Sequence, residues 1–359
     1  MALFDSFFRR RQPPLIGLDI SSSSVKLAEL DRNADGTWVL ERFASEPLEL
    51  GCVVDGNIER FDAVSEVVKK LIRKSGTRAK HVALALPSSA VITKKIIVPG
   101  NLSDAELELQ VESEATQYIP FPLEEVSLDF CILKNNDKNK EDVDVLLTAT
   151  RKERVEELNN LAVLVGLKPV VMDVESYAVR RAAEPLIEVI KNDNQDHLVA
   201  LIKIGARNFN LQIVRHEEVL HDSDYGFGGY QLTQLIAKSY GVSMEEAELK
   251  KKTLELSEDY AEVILKPYIH NLAEDIRRAL QFFFTSSPFS KIDLIALYGG
   301  GACVQGLSMG LESHIKVPVK TINPFEGMQI SSGISKNKMD REATMYLAAC
   351  GLAMRRFLL

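Results

Sequence analysis

Apolar and polar positions near the start of the chain alternate in a way that predicts three strands, a helix and a further strand. The strands are predicted over residues 15–20, 25–31 and 37–44, the helix over 61–76 and the last strand over 81–87. The strands follow a period of two, whereas the helix repeats its apolar residues at helical spacing and ends at Gly76. Consecutive serines separate the first two strands.

The same order of elements returns in the second half of the chain. Strands are predicted over 198–204, 209–214 and 217–225, a helix from about 228, and a further apolar strand over 291–301. A whole half thus recurs after about 190 residues, which differs from the short period of a solenoid. We therefore predict two α/β lobes that face one cleft, a place where ligands commonly bind.

Two inserted segments interrupt this repeat. Residues 88–166 predict a small α/β unit, and residues 242–287 predict a mostly helical unit rich in Glu and Lys. The remaining segments form the two lobes, with 1–87, 167–196 and 335–359 in the first and 197–241 and 288–334 in the second.

Composition and charge narrow the classes of function. The hydrophobic content of 46% is that of a globular protein, and the formal charge of -8 argues against a nucleic-acid surface. Isolated cysteines without a CxxC spacing fit a reducing cytoplasm, and no apolar run is long enough to span a bilayer. The segment Leu3–Arg11, with Phe4, Phe7 and Phe8 beside arginines, predicts either contact with a lipid surface or partner, or a frayed terminus.

The serine turn carries the clearest candidate chemistry. Turns of small residues expose several backbone amides at once, and hydroxyl groups add donors, so this turn is predicted to surround a terminal phosphate. Its residues are Ser21, Ser22, Ser23 and Ser24. Lys26 would neutralise the phosphate, and Asp19 would face Mg²⁺ through water. A serine-rich surface hairpin is the alternative, which the internal repeat makes less favourable.

Small residues recur at the corresponding places of the second half. The second turn and two glycine clusters supply the candidate phosphate and nucleoside contacts Gly205, Ala206, Arg207, Asn208, Gly228, Gly229, Gly299, Gly300 and Gly301. Each cluster alone is weak evidence, because tight turns need glycine anyway. Lys203 stands where the first half has Asp19.

These motifs resemble those of the actin, Hsp70 and sugar-kinase ATPase superfamily and, within it, of the PilM family of FtsA-like proteins in type IV pilus assembly. The runs LIGLDISSSSVKLAEL, LVALIKIGARNFNLQIV and LYGGGACVQGL resemble the phosphate-1, phosphate-2 and adenosine motifs of the superfamily. The runs ATQYIPFPLEEVSLDF, VMDVESYAVRRA, RRALQFFF, INPF and YLAACGLAMR resemble the PilM family in particular. The resemblance covers essentially the whole chain.

The resemblance implies an α/β, actin-like ATPase fold, duplicated from an RNase H-like unit and binding ATP or ADP with Mg²⁺. The two lobes would be subdomains 1A and 2A, residues 88–166 the FtsA-type subdomain 1C and residues 242–287 subdomain 2B. Glu248 and Lys251 match family positions that contact ribose and adenine, although an ordinary i, i+3 contact on a helix is the alternative. Asp19 and Glu175 are the candidate catalytic residues, with Glu175, and Asp173 beside it, near the position that orients attacking water.

Two departures from the superfamily pattern put hydrolysis in doubt. Ser21 replaces the glycine that is common in the phosphate-1 turn, and Lys203 replaces the aspartate that usually begins phosphate 2. Lys203 would add positive charge beside the β and γ phosphates. We therefore expect ATP binding with weak or no ATPase activity.

The resemblance also implies a partner, the N-terminal cytoplasmic peptide of the inner-membrane protein PilN, held between subdomains 1A and 1C. The predicted wall is the strand over 94–99 with the corner Tyr118–Pro122, whereas Tyr118, Phe121 and Phe130 could instead form the core of 1C. Other inner-membrane and motor components of the pilus are possible further partners, and the expected location is cytoplasmic, at the inner membrane through partners. An FtsA-like membrane-associated filament protein and a small-molecule kinase remain the alternatives.

Overall fold

The computed structural model describes residues 12–135, 141–191, 197–216 and 218–358 of the chain. The segment Leu3–Arg11, with its predicted choice between a surface contact and a frayed terminus, lies outside these residues. Among the helices that are described, none is both long and apolar enough to cross a membrane.

The first half of the chain follows the predicted order, with the small α/β unit inserted after the fourth long strand. The elements are β1 (Leu15–Ile20), β2 (Ser24–Arg32), β3 (Trp38–Pro47), β4 (Val53–Val54), β5 (Asn57–Ile58), α1 (Phe61–Ser75), β6 (His81–Leu86), β7 (Ile92–Pro99), α2 (Asp104–Ala115), β8 (Val126–Asn135), β9 (Asp142–Arg151), α3 (Lys152–Leu164), β10 (Lys168–Val174) and α4 (Glu175–Lys191).

The second half repeats the pattern and adds helices. The elements are β11 (Val199–Ile204), β12 (Phe209–Arg215), β13 (Glu218–Tyr225), α5 (Gly229–Tyr240), α6 (Met244–Thr253), a π-helical turn (Ala261–Leu265), α7 (Lys266–Ser286), β14 (Leu294–Tyr298), α8 (Leu307–Ile315), β15 (Val319–Thr321), β16 (Gln329–Ile330), α9 (Lys336–Glu342) and α10 (Leu347–Met354).

Two mixed sheets form the lobes and have matching topology. The first sheet has the order β10-β6-β1-β2-β3-β16 and the second has the order β13-β12-β11-β14-β15. In the first hairpin Asp19 pairs with Lys26 across β1 and β2, and in the second Lys203 pairs with Asn210 across β11 and β12. In both hairpins these pairs lie one residue before the last paired residue of the strand. Asp19 and Lys203 are therefore equivalent positions of the two lobes.

Helices α4 and α10 fill the space between the two sheets. Their apolar residues pack in one cluster with Leu30 from the first sheet and with Leu201 and Tyr298 from the second. Helix α10 approaches both β1 and α4 closely because glycines lie at the contacts: a β-carbon at Gly17 would lie 2.0 Å from the carbonyl oxygen of Ala349, and one at Gly351 would lie 1.8 Å from that of Ala178. This packing turns the inner faces of both sheets, and the ends of β1 and β11, toward each other.

The two insertions pack differently from each other. The three-stranded sheet β7-β9-β8 and α2 enclose a core of their own, which contains Ile96 and Val111. Helix α3 follows this sheet in sequence, but its Leu161 packs with the core of the first lobe. Helix α7, in the second insertion, shares one core with the outer face of β11, where Tyr268 is fully buried.

Candidate functional site

The two equivalent hairpins meet at a single place between the lobes. Lys203, at the end of β11, forms an ion pair with Glu175, the first residue of α4 in the other lobe. The charge of Lys203 also lowers the pKa of Asp19, at the end of β1. The structure thus brings together Asp19, Glu175 and Lys203, which are far apart in sequence.

A buried ion pair organises the first hairpin. The Lys26 ammonium donates to Asp19 Oδ2 at 3.0 Å and to Ser21 Oγ at 2.8 Å, and both charged side chains are under 10% exposed. Burial alone raises the pKa of Asp19, but the nearby charges of Lys26 and Lys203 outweigh burial and hold the pKa below its ordinary value. The Asp19 carboxylate is therefore ionised and already paired with the Lys26 ammonium.

The serines of this hairpin divide into two groups. Ser21 is used within the turn, where its backbone N–H and its hydroxyl both donate to the Ser24 carbonyl. Ser24 is buried as the first residue of β2. Ser22 and Ser23 form the accessible tip, so of the four predicted phosphate contacts these two have the best access to a ligand.

The second hairpin is fixed to the start of helix α5. The backbone N–H of Gly229 donates to the Gly205 carbonyl at 2.9 Å, and that of Tyr230 donates to the Ala206 carbonyl at 2.7 Å. A β-carbon at Gly228 would lie 2.8 Å from the Gly205 oxygen, so the contact requires glycine. The exposed Arg207 stands at the tip, and the Gly205 N–H closes the turn by donating to the Asn208 carbonyl.

The glycine cluster at the end of β14 packs against the end of β11. Gly299 has a φ of +89°, and a β-carbon there would lie 2.8 Å from the Ile204 carbonyl oxygen. A β-carbon at Gly301 would lie 2.2 Å from Ile204 Cγ2. Gly300 borders open space instead. Two of the three glycines are thus needed for packing, and one leaves room.

Helix α6 places an ion pair, Glu248 and Lys251, beside the start of helix α5. Lys251 forms an ion pair with Glu248 at 2.5 Å and donates to Thr233 Oγ1 at 2.8 Å and to the Gly229 carbonyl at 3.3 Å. Thr233 in turn donates to Glu248 at 2.7 Å. The contact therefore reaches helix α5, beyond a surface i, i+3 pair on one helix. Burial lowers the pKa of Lys251, and Glu248 only partly offsets this effect.

Two acidic residues at this site were missed from the sequence. Asp222 and Asp224 alternate along β13 on the face that carries Lys203, and the Asn210 amide donates to them at 2.7 and 3.2 Å. Burial, with the charges of Glu175 and Asp222, raises the pKa of Asp224. The alternation in the run HDSDY predicts a common face and could have indicated them.

The family described as type IV pilus assembly protein PilM matches residues 17–357. The chain belongs to the PilM family. A structure described as a PilM-PilN type IV pilus biogenesis complex matches with a TM-score of 0.79 and 29% identity, over 96% of this chain and 99% of that one.

More distant structures share the fold of this PilM-family chain. The ethanolamine utilization protein EutJ from Carboxydothermus hydrogenoformans matches with a TM-score of 0.57 and 16% identity, over 95% of this chain and 89% of that one. MreB5 of Spiroplasma citri, in a structure bound to ADP, matches with a TM-score of 0.51 and 14% identity, over 96% of each chain. The predicted PilM family and actin-like α/β fold are confirmed.

Asp173, which the sequence placed near the position of an attacking water, has another role in the PilM-family chain. Arg355 donates to both of its carboxylate oxygens, at 2.5 and 2.6 Å, and Asp173 is buried. This bidentate pair ties β10 to the end of α10. It leaves Glu175 as the carboxylate of this segment that faces the cleft.

The donors at the site fit a divalent metal poorly. Among the described residues, no group of three or more His, Cys, Asp or Glu side chains could hold a metal ion. Of the four carboxylates at the site, Asp19 and Glu175 each already bind a lysine ammonium, and Asp222 and Asp224 accept from the Asn210 amide. Mg²⁺ binds through one or two carboxylates together with waters and substrate oxygens, and here the two carboxylates that join the lobes are already paired with cations.

A second candidate surface is one face of the three-stranded sheet. Strand β7 alternates between the sheet's two faces: Lys95 and Ile97 lie on the open face, and Lys94 lies over the ring of Tyr118 on the other. On the open face, Thr93 lies near Tyr177 of α4; burial raises the pKa of Tyr177, and Thr93 offsets part of this rise. Phe121 and Phe130 pack against the core of the unit, but Tyr118 is 40% exposed.

Proposed function

We propose that this PilM-family chain is a nucleotide-binding scaffold of the type IV pilus inner-membrane assembly complex, with ATP or ADP between its lobes and a PilN peptide beside subdomain 1C. The observation that carries the nucleotide part is the meeting of two equivalent hairpins at Asp19 and Lys203. The subdomain boundaries predicted from the sequence are part of this proposal.

The phosphates would lie between the two hairpins. Ser22 and Ser23 supply accessible donors from one lobe, and Lys26 and Lys203 supply positive charge from both. The open side of Gly300 leaves room for the nucleoside. Glu248 and Lys251, held beside the start of α5, lie on the side where ribose and adenine would bind.

Glu175 is poorly placed to activate water in this arrangement. Its carboxylate accepts a hydrogen bond from the Lys203 ammonium, and phosphates that took its place on Lys203 would repel it. We therefore expect ATP to bind and to be hydrolysed slowly or not at all. Magnesium is left out of the proposal, because the donors fit it poorly.

Two measurements on the purified chain test the nucleotide part. Titration calorimetry should give one saturable ATP site, and a phosphate-release assay should give turnover well below about 1 per second, the lower end for working enzymes. Turnover at or above that rate would contradict the scaffold and favour the small-molecule kinase. Absence of ATP binding would remove the nucleotide proposal altogether.

The peptide would lie along the open face of the three-stranded sheet. Support comes from a structural relative, 29% identical, which is described as a PilM-PilN complex. Ile97 is 58% exposed there, and Tyr177 of α4 lies near Thr93, four residues earlier on the same face of β7. An apolar wall beside an exposed strand suits an extended peptide.

Fluorescence anisotropy with a labelled N-terminal PilN peptide tests the peptide part. Ile97→Ser should weaken binding about tenfold or more, the size of a buried interface contact. The matched control is Tyr118→Ser, because Tyr118 lies on the opposite face of the same sheet and should change the affinity less than twofold. If Tyr118→Ser weakens binding and Ile97→Ser does not, the peptide lies along the corner instead.

A further inference from the structure

Lys203 occupies the position at which the first lobe carries Asp19. The two residues hold the same register in the two hairpins, yet their partners come from different places. Asp19 is paired within its own hairpin by Lys26, whereas Lys203 is paired by Glu175 from the other lobe. The equivalent position of the two hairpins is thus acidic in the first lobe and basic in the second.

The charges around Lys203 keep its ammonium protonated. Glu175 and Asp19 lie on the first lobe and Asp224 on the second, and together they raise the pKa of Lys203 although burial lowers it. Asp222 and Asn210 complete the surroundings from β13 and β12. The Lys203 side chain is 23% exposed, so it lies at the border of the cleft and not within a closed core.

A lysine from each lobe therefore lies at the cleft: Lys203, which is paired across the lobes, and Lys26, which is buried against Asp19 and Ser21. A divalent ion between them would be repelled by both ammonium groups and would compete with them for Asp19 and Glu175. A phosphate chain, by contrast, is attracted by both lysines. An ammonium group is a compact point charge suited to phosphate oxygens.

We propose that Lys203 supplies the positive charge that a divalent metal supplies in other phosphate sites, so that this chain binds ATP without a metal ion. This inference rests on the proposed nucleotide function. The β and γ phosphates replace Glu175 as the partner of Lys203, and Glu175 turns to solvent or to a donor of the phosphate-1 hairpin. Phosphate and Glu175 compete for one ammonium group.

Titration calorimetry with ATP, in excess Mg²⁺ and in EDTA, tests this inference on the whole chain. The wild type should bind ATP with dissociation constants that agree within about threefold in the two conditions, a difference of about 0.7 kcal/mol or less. Lys203→Asp should lose at least about a hundredfold in EDTA and regain most of this affinity in Mg²⁺. The new carboxylate would join Asp19 and Glu175 as a magnesium ligand.

Glu175→Gln gives a result that damage to the fold could not imitate. Removing the competing carboxylate frees Lys203, so ATP should bind about threefold to tenfold more tightly in EDTA. The control Lys320→Asp makes the same charge change on exposed β15 of the same sheet and should leave the Mg²⁺ dependence unchanged.

The outcomes separate the inference from the nucleotide proposal. If the wild type binds ATP in Mg²⁺ and loses about a hundredfold or more in EDTA, the inference is wrong and the nucleotide proposal stands. If Glu175→Gln weakens binding in EDTA, Lys203 is not the phosphate ligand and the inference is also wrong. If ATP binds in neither condition, the nucleotide proposal itself fails.

Discussion

The two hairpins that are proposed to bind phosphate have the same backbone register, but their charged residues find their partners in different places. In the first, Asp19 and Lys26 neutralise each other within one lobe, and both are under 10% exposed. In the second, Lys203 faces Asn210 across the hairpin and finds its carboxylate, Glu175, in the other lobe at 27% exposure. The first pair belongs to the fold of its lobe, and the second connects the lobes.

Because of this difference, the same hairpin backbone stabilises a single lobe in the first case and joins the two lobes in the second. A buried pair with both partners on adjacent strands cannot be separated without leaving a charge unpaired. A partly exposed pair between lobes can exchange one partner for a ligand, because water or phosphate can replace the carboxylate. A ligand that takes Lys203 from Glu175 would therefore change the connection between the lobes.

The largest expected effect comes from breaking the buried pair. Lys26→Met should lower the free energy of unfolding by about 3–5 kcal/mol, because it leaves the Asp19 carboxylate buried without its cation. Chemical denaturation measures this loss. The matched variant Lys203→Met should cost only about 1 kcal/mol, because its pair is partly solvated. Equal losses for the two variants would contradict the contrast between the hairpins.

A smaller loss is expected at the contact that fixes the second hairpin. Gly228→Val should lower the free energy of unfolding by about 1–3 kcal/mol and abolish ATP binding, because the side chain would push the hairpin away from α5. Gly226→Val is the control, since a β-carbon there meets nothing within 4 Å. Unchanged stability and ATP binding in Gly228→Val would show that the hairpin is not held by this contact.

Variants at the predicted nucleoside contacts should weaken ATP binding less than variants in the hairpins. Lys251→Met should weaken ATP binding about tenfold, because it removes the cation held between Glu248 and Thr233 beside the Gly229 carbonyl. Lys252→Met removes a neighbouring lysine that is 68% exposed and should change the affinity less than about twofold. If the two variants change the ATP affinity measured by calorimetry to a similar extent, the Lys251 contact is only an ordinary surface pair.

The smallest effect concerns pH. The pKa of Asp19 is lowered below its ordinary value of 3.8 in the folded chain, so its stabilising effect is complete above 3.8 and is lost as pH falls through the lower folded value. Chemical denaturation at a series of pH values should therefore show that the free energy of unfolding falls more steeply with acid in the wild type than in Asp19→Asn. The same slope in both proteins would mean that Asp19 titrates normally.

Much of the fold could be predicted because its signals are local. Strand alternation and turn chemistry defined both hairpins, and their repetition indicated two lobes. The packing of α3 could not be predicted in the same way, because Leu161 is apolar on a helix that could cover either sheet. Helix α3 packs where a face of a sheet is left uncovered by other elements, and that is a property of the whole fold.

The candidate site was predicted in its residues but only partly in its contacts. The sequence indicated Asp19, Lys26 and Lys203, yet it assigned Asp19 to a hydrated metal and Lys26 to a phosphate. Their mutual pairing follows from the register of β1 and β2, which is a tertiary property. Likewise, the proximity of Glu175 to Lys203 depends on α4 lying between the sheets, and no local pattern encodes that distance.

The most direct test of the interlobe site is equilibrium binding of ATP to the whole chain and to the double variant Lys26→Met/Lys203→Met, each in Mg²⁺ and in EDTA. We expect the wild type to bind one ATP per chain in competition with ADP, and the folded double variant to bind none in either condition. A double variant that binds ATP as tightly as the wild type would contradict the site, because the nucleotide would then lie elsewhere.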